Sequence, residues 1–155
     1  MLDIKNDTSQ YKTITKLLEI VNDKNIEISP FIVDIGAHDG VFLSNSWPFV
    51  SELAWSCIAF EPNPTSFLEL QKNYWAVLDT MSLEQCRDGC YIPVNMAVAP
   101  NSGETNLNFD NDSMLGSVVY RKSKSCLVKT ISPKDLVEKF ALEDKRIGIL
   151  TIDTE

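Results

Sequence analysis

One stretch, Phe31-Ile32-Val33-Asp34-Ile35-Gly36-Ala37-His38-Asp39-Gly40, limits what this chain can fold into more than any other. Apolar, mostly β-branched residues surround a single acid, and glycines follow at once. A strand that is apolar on both sides needs cover on both sides, the condition of a buried parallel strand. Gly36 and Gly40 then permit a tight turn and close approach of the backbone to a ligand. Val41-Phe42-Leu43 opens an apolar periodic run that reads as a helix. Strand, glycine loop and helix start together form a ligand cradle at the carboxyl end of a sheet strand. An ordinary strand-to-helix turn is the plainer alternative.

The glycine spacing discriminates between ligands. A dinucleotide fingerprint needs G-x-G-x-x-G, and a phosphate loop needs G-x-x-x-x-G-K-[ST]. Here the spacing is Gly36-x-x-x-Gly40, with no middle glycine and no following lysine, and Asp34 stands two residues before the first glycine. An anion there repels a phosphate but accepts hydrogen bonds from an ammonium. That combination suits S-adenosylmethionine, whose methionine end carries an ammonium and whose sulfur is cationic. A nicotinamide oxidoreductase is disfavoured by the same spacing.

The chain has 155 residues, which predicts one domain, residues 1–155, large enough for a real core. Residues 1–30 form an N-terminal covering helix with its linker, and residues 31–155 form the ligand-binding body. A net charge of −8 argues against nucleic acid and against an anionic membrane surface as partners. No run approaches the roughly 18 apolar residues of a membrane span, and no signal-peptide core is present. Cys57, Cys86, Cys90 and Cys126 lack C-x-x-C spacing and only His38 offers an imidazole, so reduced thiols in a cytoplasmic protein are expected and no metal site.

In chain order, residues 8–25 place Tyr11, Ile14, Leu17, Leu18 and Val21 at helical spacing, with Thr8 or Ser9 as cap. Residues 41–53 read as the first crossover helix, bent or split near Trp47-Pro48. Cys57-Ile58-Ala59-Phe60 is the second strand, ending at Glu61-Pro62. An acid at that position binds ribose hydroxyls in nucleotide-binding α/β sheets; a solvated turn residue is the alternative. Pro64 starts a helix to about residue 78, and residues 79–89 form a polar loop. Residues 91–98 are the third strand and its exit, where Asn95 can bond an adenine edge or merely satisfy its turn. Met96 and Ala97 offer that ring an apolar face. Residues 105–109, 117–120 and 126–131 read as a small antiparallel insertion. Ser132-Pro133 opens a helix to about residue 140, and residues 147–152 are the fourth strand, leading to Asp153-Thr154-Glu155.

Four segments together resemble the FkbM-type methyltransferases: Asp34-Ile35-Gly36-Ala37-His38-Asp39-Gly40-Val41, Ala59-Phe60-Glu61-Pro62-Asn63-Pro64, Val94-Asn95-Met96-Ala97-Val98 and Leu150-Thr151-Ile152-Asp153-Thr154-Glu155. Trp55 and Ser44-Asn45 also fit that pattern, and His38 departs from it by replacing a usual asparagine. The resemblance implies a Rossmann-like class I methyltransferase fold: a parallel sheet with flanking helices. Of its seven strands the first four central ones are expected here, beside the antiparallel insertion.

The resemblance further implies S-adenosyl-L-methionine as cofactor and O-methylation of a small-molecule or sugar hydroxyl. The cofactor site comprises Asp34, Gly36, Ala37, His38, Asp39, Gly40, Glu61, Pro62, Asn95, Met96 and Ala97. Asp153 and Glu155 are the catalytic candidates, as base, as ligand of the acceptor hydroxyl or as metal ligand, although paired carboxylates are as often merely solvated. Residues 110–116 are a further acceptor-side candidate. An open sheet edge beside the fourth strand predicts a homo-oligomer that covers it. A module that binds S-adenosylmethionine without turnover is the alternative of a different class.

Overall fold

The computed structural model describes residues 1–80, 91–109 and 124–154. Its main sheet is built from β1 (Phe31–Ile35), β2 (Ser56–Phe60), β3 (Tyr91–Val94) and β7 (Ile149–Ile152), in the order β3-β2-β1-β7. Every pairing in it is parallel, with Asp34 opposite both Ala59 and Thr151, and Ile35 opposite Phe60 and Ile152. A second sheet has the order β4-β6-β5, from β4 (Ala97–Val98), β5 (Gly103–Phe109) and β6 (Lys124–Ile131). The helices are α1 (Thr13–Asp23), α2 (Trp47–Leu53), α3 (Pro64–Thr80) and α4 (Pro133–Lys139).

Alternation along β1 and β2 builds two cores. Ile32, Cys57 and Ala59 face one way and pack against Ile14 and Leu18 of α1, Phe49 and Val50 of α2, and Leu70, Tyr74 and Val77 of α3. Val33, Ile58 and Phe60 face the other way, onto Ile131, Leu136 and Leu142. Burial on both faces is what the continuous apolar runs of β1 and β2 require. Asp34 is the exception, a charge directed into the first of these layers.

Several boundaries differ from the sequence expectation for local reasons. The first helix begins at Thr13, not near residue 8, because Tyr11 and Lys12 both adopt left-handed backbone, with φ of 56°. Its free amides are still capped: Ser9 Oγ accepts from Ile14 N at 3.0 Å, and Asp7 Oδ2 accepts from Thr15 N at 2.7 Å. Burial pushes the Asp7 carboxyl up, but the donors of Ser9 and Thr15 outweigh it and hold the group below its usual range. Thr8 is no cap; its hydroxyl donates to the Ser44 carbonyl.

The expected helix over residues 41–53 starts only at Trp47, with Pro48 in its first turn, where a missing N–H does no harm. The third strand ends at Val94, and its exit runs from Asn95. Pro93 is accommodated because, among the described residues, β3 lies at the sheet edge, and after it Ala97-Val98 leaves the main sheet to pair with β6 in parallel. The insertion is therefore mixed: β5 and β6 are antiparallel, β4 and β6 parallel. Its expected strand at residues 117–120, like Cys86, Cys90 and residues 110–116, lies outside the described residues. Ser132 caps α4 as expected, accepting from Asp135 N at 3.1 Å. Among the described residues, no helix is long and apolar enough to cross a membrane.

Candidate functional site

The carboxyl ends of β1, β2 and β7 meet around the loop that follows β1. Both loop glycines have positive φ, 88° at Gly36 and 78° at Gly40. A Cβ on Gly36 would stand 2.1 Å from the Asp153 carbonyl oxygen, and one on Gly40 would stand 2.5 Å from Leu70 Cδ1. The crowding that demands glycine thus comes from the chain itself, from the residues just after β7 at one position and α3 at the other. His38, between them, also sits in the left-handed region, with φ of 52°.

The loop's donors are directed inward. Gly36 N and Ala37 N both donate to the Phe60 carbonyl, at 2.9 and 3.0 Å. His38 N donates to Glu61 Oε2 at 2.8 Å, and Gly40 N to the Ala37 carbonyl at 2.8 Å. Val41 N and Phe42 N donate to Asp39 Oδ1 at 2.9 and 2.8 Å. This Asx turn replaces the helix start expected at Val41. A phosphate site presents such N–H groups to its ligand; here they are already occupied.

Negative charge collects at the same place. Asp34 is only 3% exposed and accepts from Ser46 Oγ at 2.5 Å. Burial pushes its carboxyl up to about 6; the Ser46 hydroxyl opposes the rise, while the charges of Asp153 and Glu61 add to it. Glu61 is buried too, and its carboxyl is raised by that burial against the amides of Asn63 and His38. Asn63 N donates to Glu61 Oε1 at 2.7 Å. Asp153 is exposed, with its backbone N–H on the Ile35 carbonyl at 2.9 Å. No lysine or arginine occurs in the sequence between Lys24 and Lys72, so the chain segment carrying the loop and Glu61 holds no fixed cation.

The remaining expected residues divide. Asn95 directs its Nδ2 to the carbonyls of Glu61 and Pro62, at 2.8 and 3.1 Å. The turn-satisfying alternative for Asn95 therefore holds for its donors, and its Oδ1 is what it can offer a ligand. Met96 is half-buried at this strand exit, against the core beneath β2. Ala97 does not present an open apolar face; it is buried with Leu107 and Val128. The Ala37 methyl lies in the core beside Ile32 and Phe49, so that residue can contribute only backbone. Among the described residues His38 Nδ1 is buried without a hydrogen-bond partner, 3.5 Å from Asp39 Oδ1. Glu155 lies outside the described residues.

Sequence reasoning assigned no role to the residues that hold the loop in place, although Asn45 fell within the family pattern. Asn73 of α3 donates to the Asp39 carbonyl at 2.8 Å. Asn45 Nδ2 donates to Thr151 Oγ1 at 3.1 Å, tying the segment after the loop to β7. Ser46, wholly buried, serves Asp34. One signal was available: three consecutive polar residues, Ser44-Asn45-Ser46, interrupt the apolar period just before Trp47-Pro48.

An all-parallel sheet with helical cover, whose first strand feeds a glycine loop and whose second ends in a buried acid, is compatible with the Rossmann-like methyltransferases. The family model described as "Methyltransferase FkbM domain" matches residues 34–155, beginning at the buried acid of β1. The chain belongs to this family of methyltransferase domains. No curated protein and no solved structure matches it.

Proposed function

We propose that the chain is an S-adenosylmethionine-dependent methyltransferase acting on oxygen, with a small-molecule or sugar hydroxyl as acceptor. The observation that carries this reading is the loop after β1, whose amides are turned inward while carboxylates gather around it. Such a site repels phosphate and attracts a cation, which separates this donor from a dinucleotide. Members of this family generally use the same donor.

S-adenosylmethionine supplies a methyl group already activated on a cationic sulfur. The protein's share is to bind, orient and manage one proton, and orientation alone is worth on the order of several kcal/mol. Asp34 acts through its charge on the donor's ammonium. Each oxygen of Glu61 accepts one amide and keeps a second lone pair, enough for the two ribose hydroxyls. Asn95 offers Oδ1 to the exocyclic amine of adenine, and Met96 an apolar contact. Asp153, exposed at the end of β7, takes the acceptor's proton on a carboxylate oxygen, with Glu155 as the second acid of the pair.

Calorimetric titration with S-adenosylhomocysteine, with NAD as control, tests the donor site. Saturable uptake of the first and none of the second is expected. A folded chain that ignores S-adenosylhomocysteine, or prefers NAD, overturns the proposal. Release of S-adenosylhomocysteine from S-adenosylmethionine in the presence of hydroxyl acceptors separates a transferase from a module that only binds.

A further inference from the structure

The geometry points to Ser46 as a positioning residue for the donor site: its hydroxyl, backed by that of Ser44, aims the Asp34 carboxylate and keeps it charged. This rests on the reading that Asp34 acts through its charge on the donor's ammonium.

The direction of the relay follows from which atoms can donate. An ionised carboxylate only accepts, so the Ser46 hydroxyl hydrogen points at Asp34 Oδ2. Ser44 Oγ lies 3.2 Å from Ser46 Oγ and accepts from Ser46 N at 3.3 Å and Trp47 N at 3.0 Å. Its own hydrogen is thereby directed to Ser46. The row runs from the Trp47 amide through Ser44 and Ser46 to Asp34, every dipole pointing toward the charge, the arrangement in which hydrogen bonds polarise one another.

The other groups facing Asp34 do not favour its charge. Cys57 of β2 and the Tyr74 hydroxyl of α3 lie behind it in the core, their thiol and phenol both pushed up by burial. The Tyr74 hydroxyl is 3.5 Å from Ser46 Oγ and 3.5 Å from Cys57 Sγ. Glu61 at the end of β2 and Asp153 at the end of β7 are like charges. Against burial and two acids, Ser46 is the opposing influence.

The test follows Asp34 itself. Carbon-detected NMR titration of its carboxyl in the wild type, Ser46→Ala, Ser46→Thr and Ser44→Ala reads the effect without any ligand. Ser46→Ala is expected to tighten proton binding at Asp34 by about tenfold, the scale of one lost hydrogen bond to a charge. Ser46→Thr restores the wild-type midpoint, and Ser44→Ala moves it the same way as Ser46→Ala but less. In parallel, the acid limb of S-adenosylhomocysteine binding shifts upward with the Asp34 midpoint. An unmoved midpoint in Ser46→Ala overturns the inference, as does one in Ser44→Ala should Ser46→Ala fail to fold. A wild-type chain that ignores S-adenosylhomocysteine while Asp34 still answers to Ser46 sinks the donor reading and leaves the relay standing.

Discussion

The carboxylate of Glu61, at the end of β2, accepts the backbone N–H of His38 at 2.8 Å, so the acid of one strand fixes the loop of its neighbour. The same side chain holds Asn63 N at 2.7 Å, at the entrance to α3. One buried residue thereby ties two connections at the mouth of the site, whatever else its oxygens bind.

Glu61→Ala leaves both amides without their partner in a buried setting. It is expected to destabilise the fold by about 1–3 kcal/mol, read from urea unfolding. Binding of S-adenosylhomocysteine should fall further than stability does, because the variant loses the ribose contact as well. Equal binding by a folded Glu61→Ala chain would remove Glu61 from the donor site.

The two glycines should differ in how they can be rescued. Gly36→Ala places its methyl against the Asp153 carbonyl, which is backbone, and Gly40→Ala places it against Leu70 and Tyr74 side chains. Each substitution combines positive φ with overpacking and should cost about 3 kcal/mol. Adding Leu70→Ala relieves part of the cost at Gly40 in a double-mutant cycle. No side-chain truncation relieves Gly36, where recovery by any neighbouring alanine would contradict the Asp153 contact.

Asp34 sets a pH dependence whose sign is fixed by its environment. Its folded carboxyl is raised to about 6 from 3.8, so the folded state holds the proton more tightly than the unfolded state. The resulting penalty on stability is absent below the unfolded value, grows as pH rises between the two, and is complete above the folded one. Asp34→Asn keeps an acceptor for Ser46 and removes the charge. It is expected to stabilise the chain near neutral pH by on the order of 3 kcal/mol and by nothing at strongly acid pH. Donor binding should be lost in the same variant. Thermal unfolding across the pH range checks the first expectation and calorimetry the second.

Strand β7 has one neighbour, β1, among the described residues, and Leu150 and Ile152 on it are 56% and 63% exposed. An apolar strand with an unpaired edge favours pairing with a second copy of the chain. Sedimentation velocity should show concentration-dependent self-association that Ile152→Lys weakens. A wild-type monomer across the micromolar range would count against a homo-oligomer.

The main sheet could be read from the sequence because its signal is local. Phe31–Ile35 and Ser56–Phe60 are apolar beyond what a half-exposed strand tolerates, and Pro64 and Ser132-Pro133 mark the starts of α3 and α4. Helix α2 was misjudged at its start because Val41, Phe42 and Leu43 have helical spacing. Asp39 captures the amides of Val41 and Phe42 before a helix can form, and Leu43 lies at φ of 53°. The exit of β3 was legible as an exit, but not where it leads: only the presence of β6 draws Ala97 and Val98 into another sheet.

Composition and order thus determined the class of this protein: parallel strands capped by an acid-bearing glycine loop, in the pattern of its family. The tertiary structure decided how that loop is held. Which amides are free, which carboxylate is buried and which hydroxyl answers it depend on contacts between β1, β2, β7, α3 and the segment before α2. Such contacts join residues far apart in sequence, as Asn45 to Thr151 and Asn73 to Asp39 do, and no local pattern of residues encodes them.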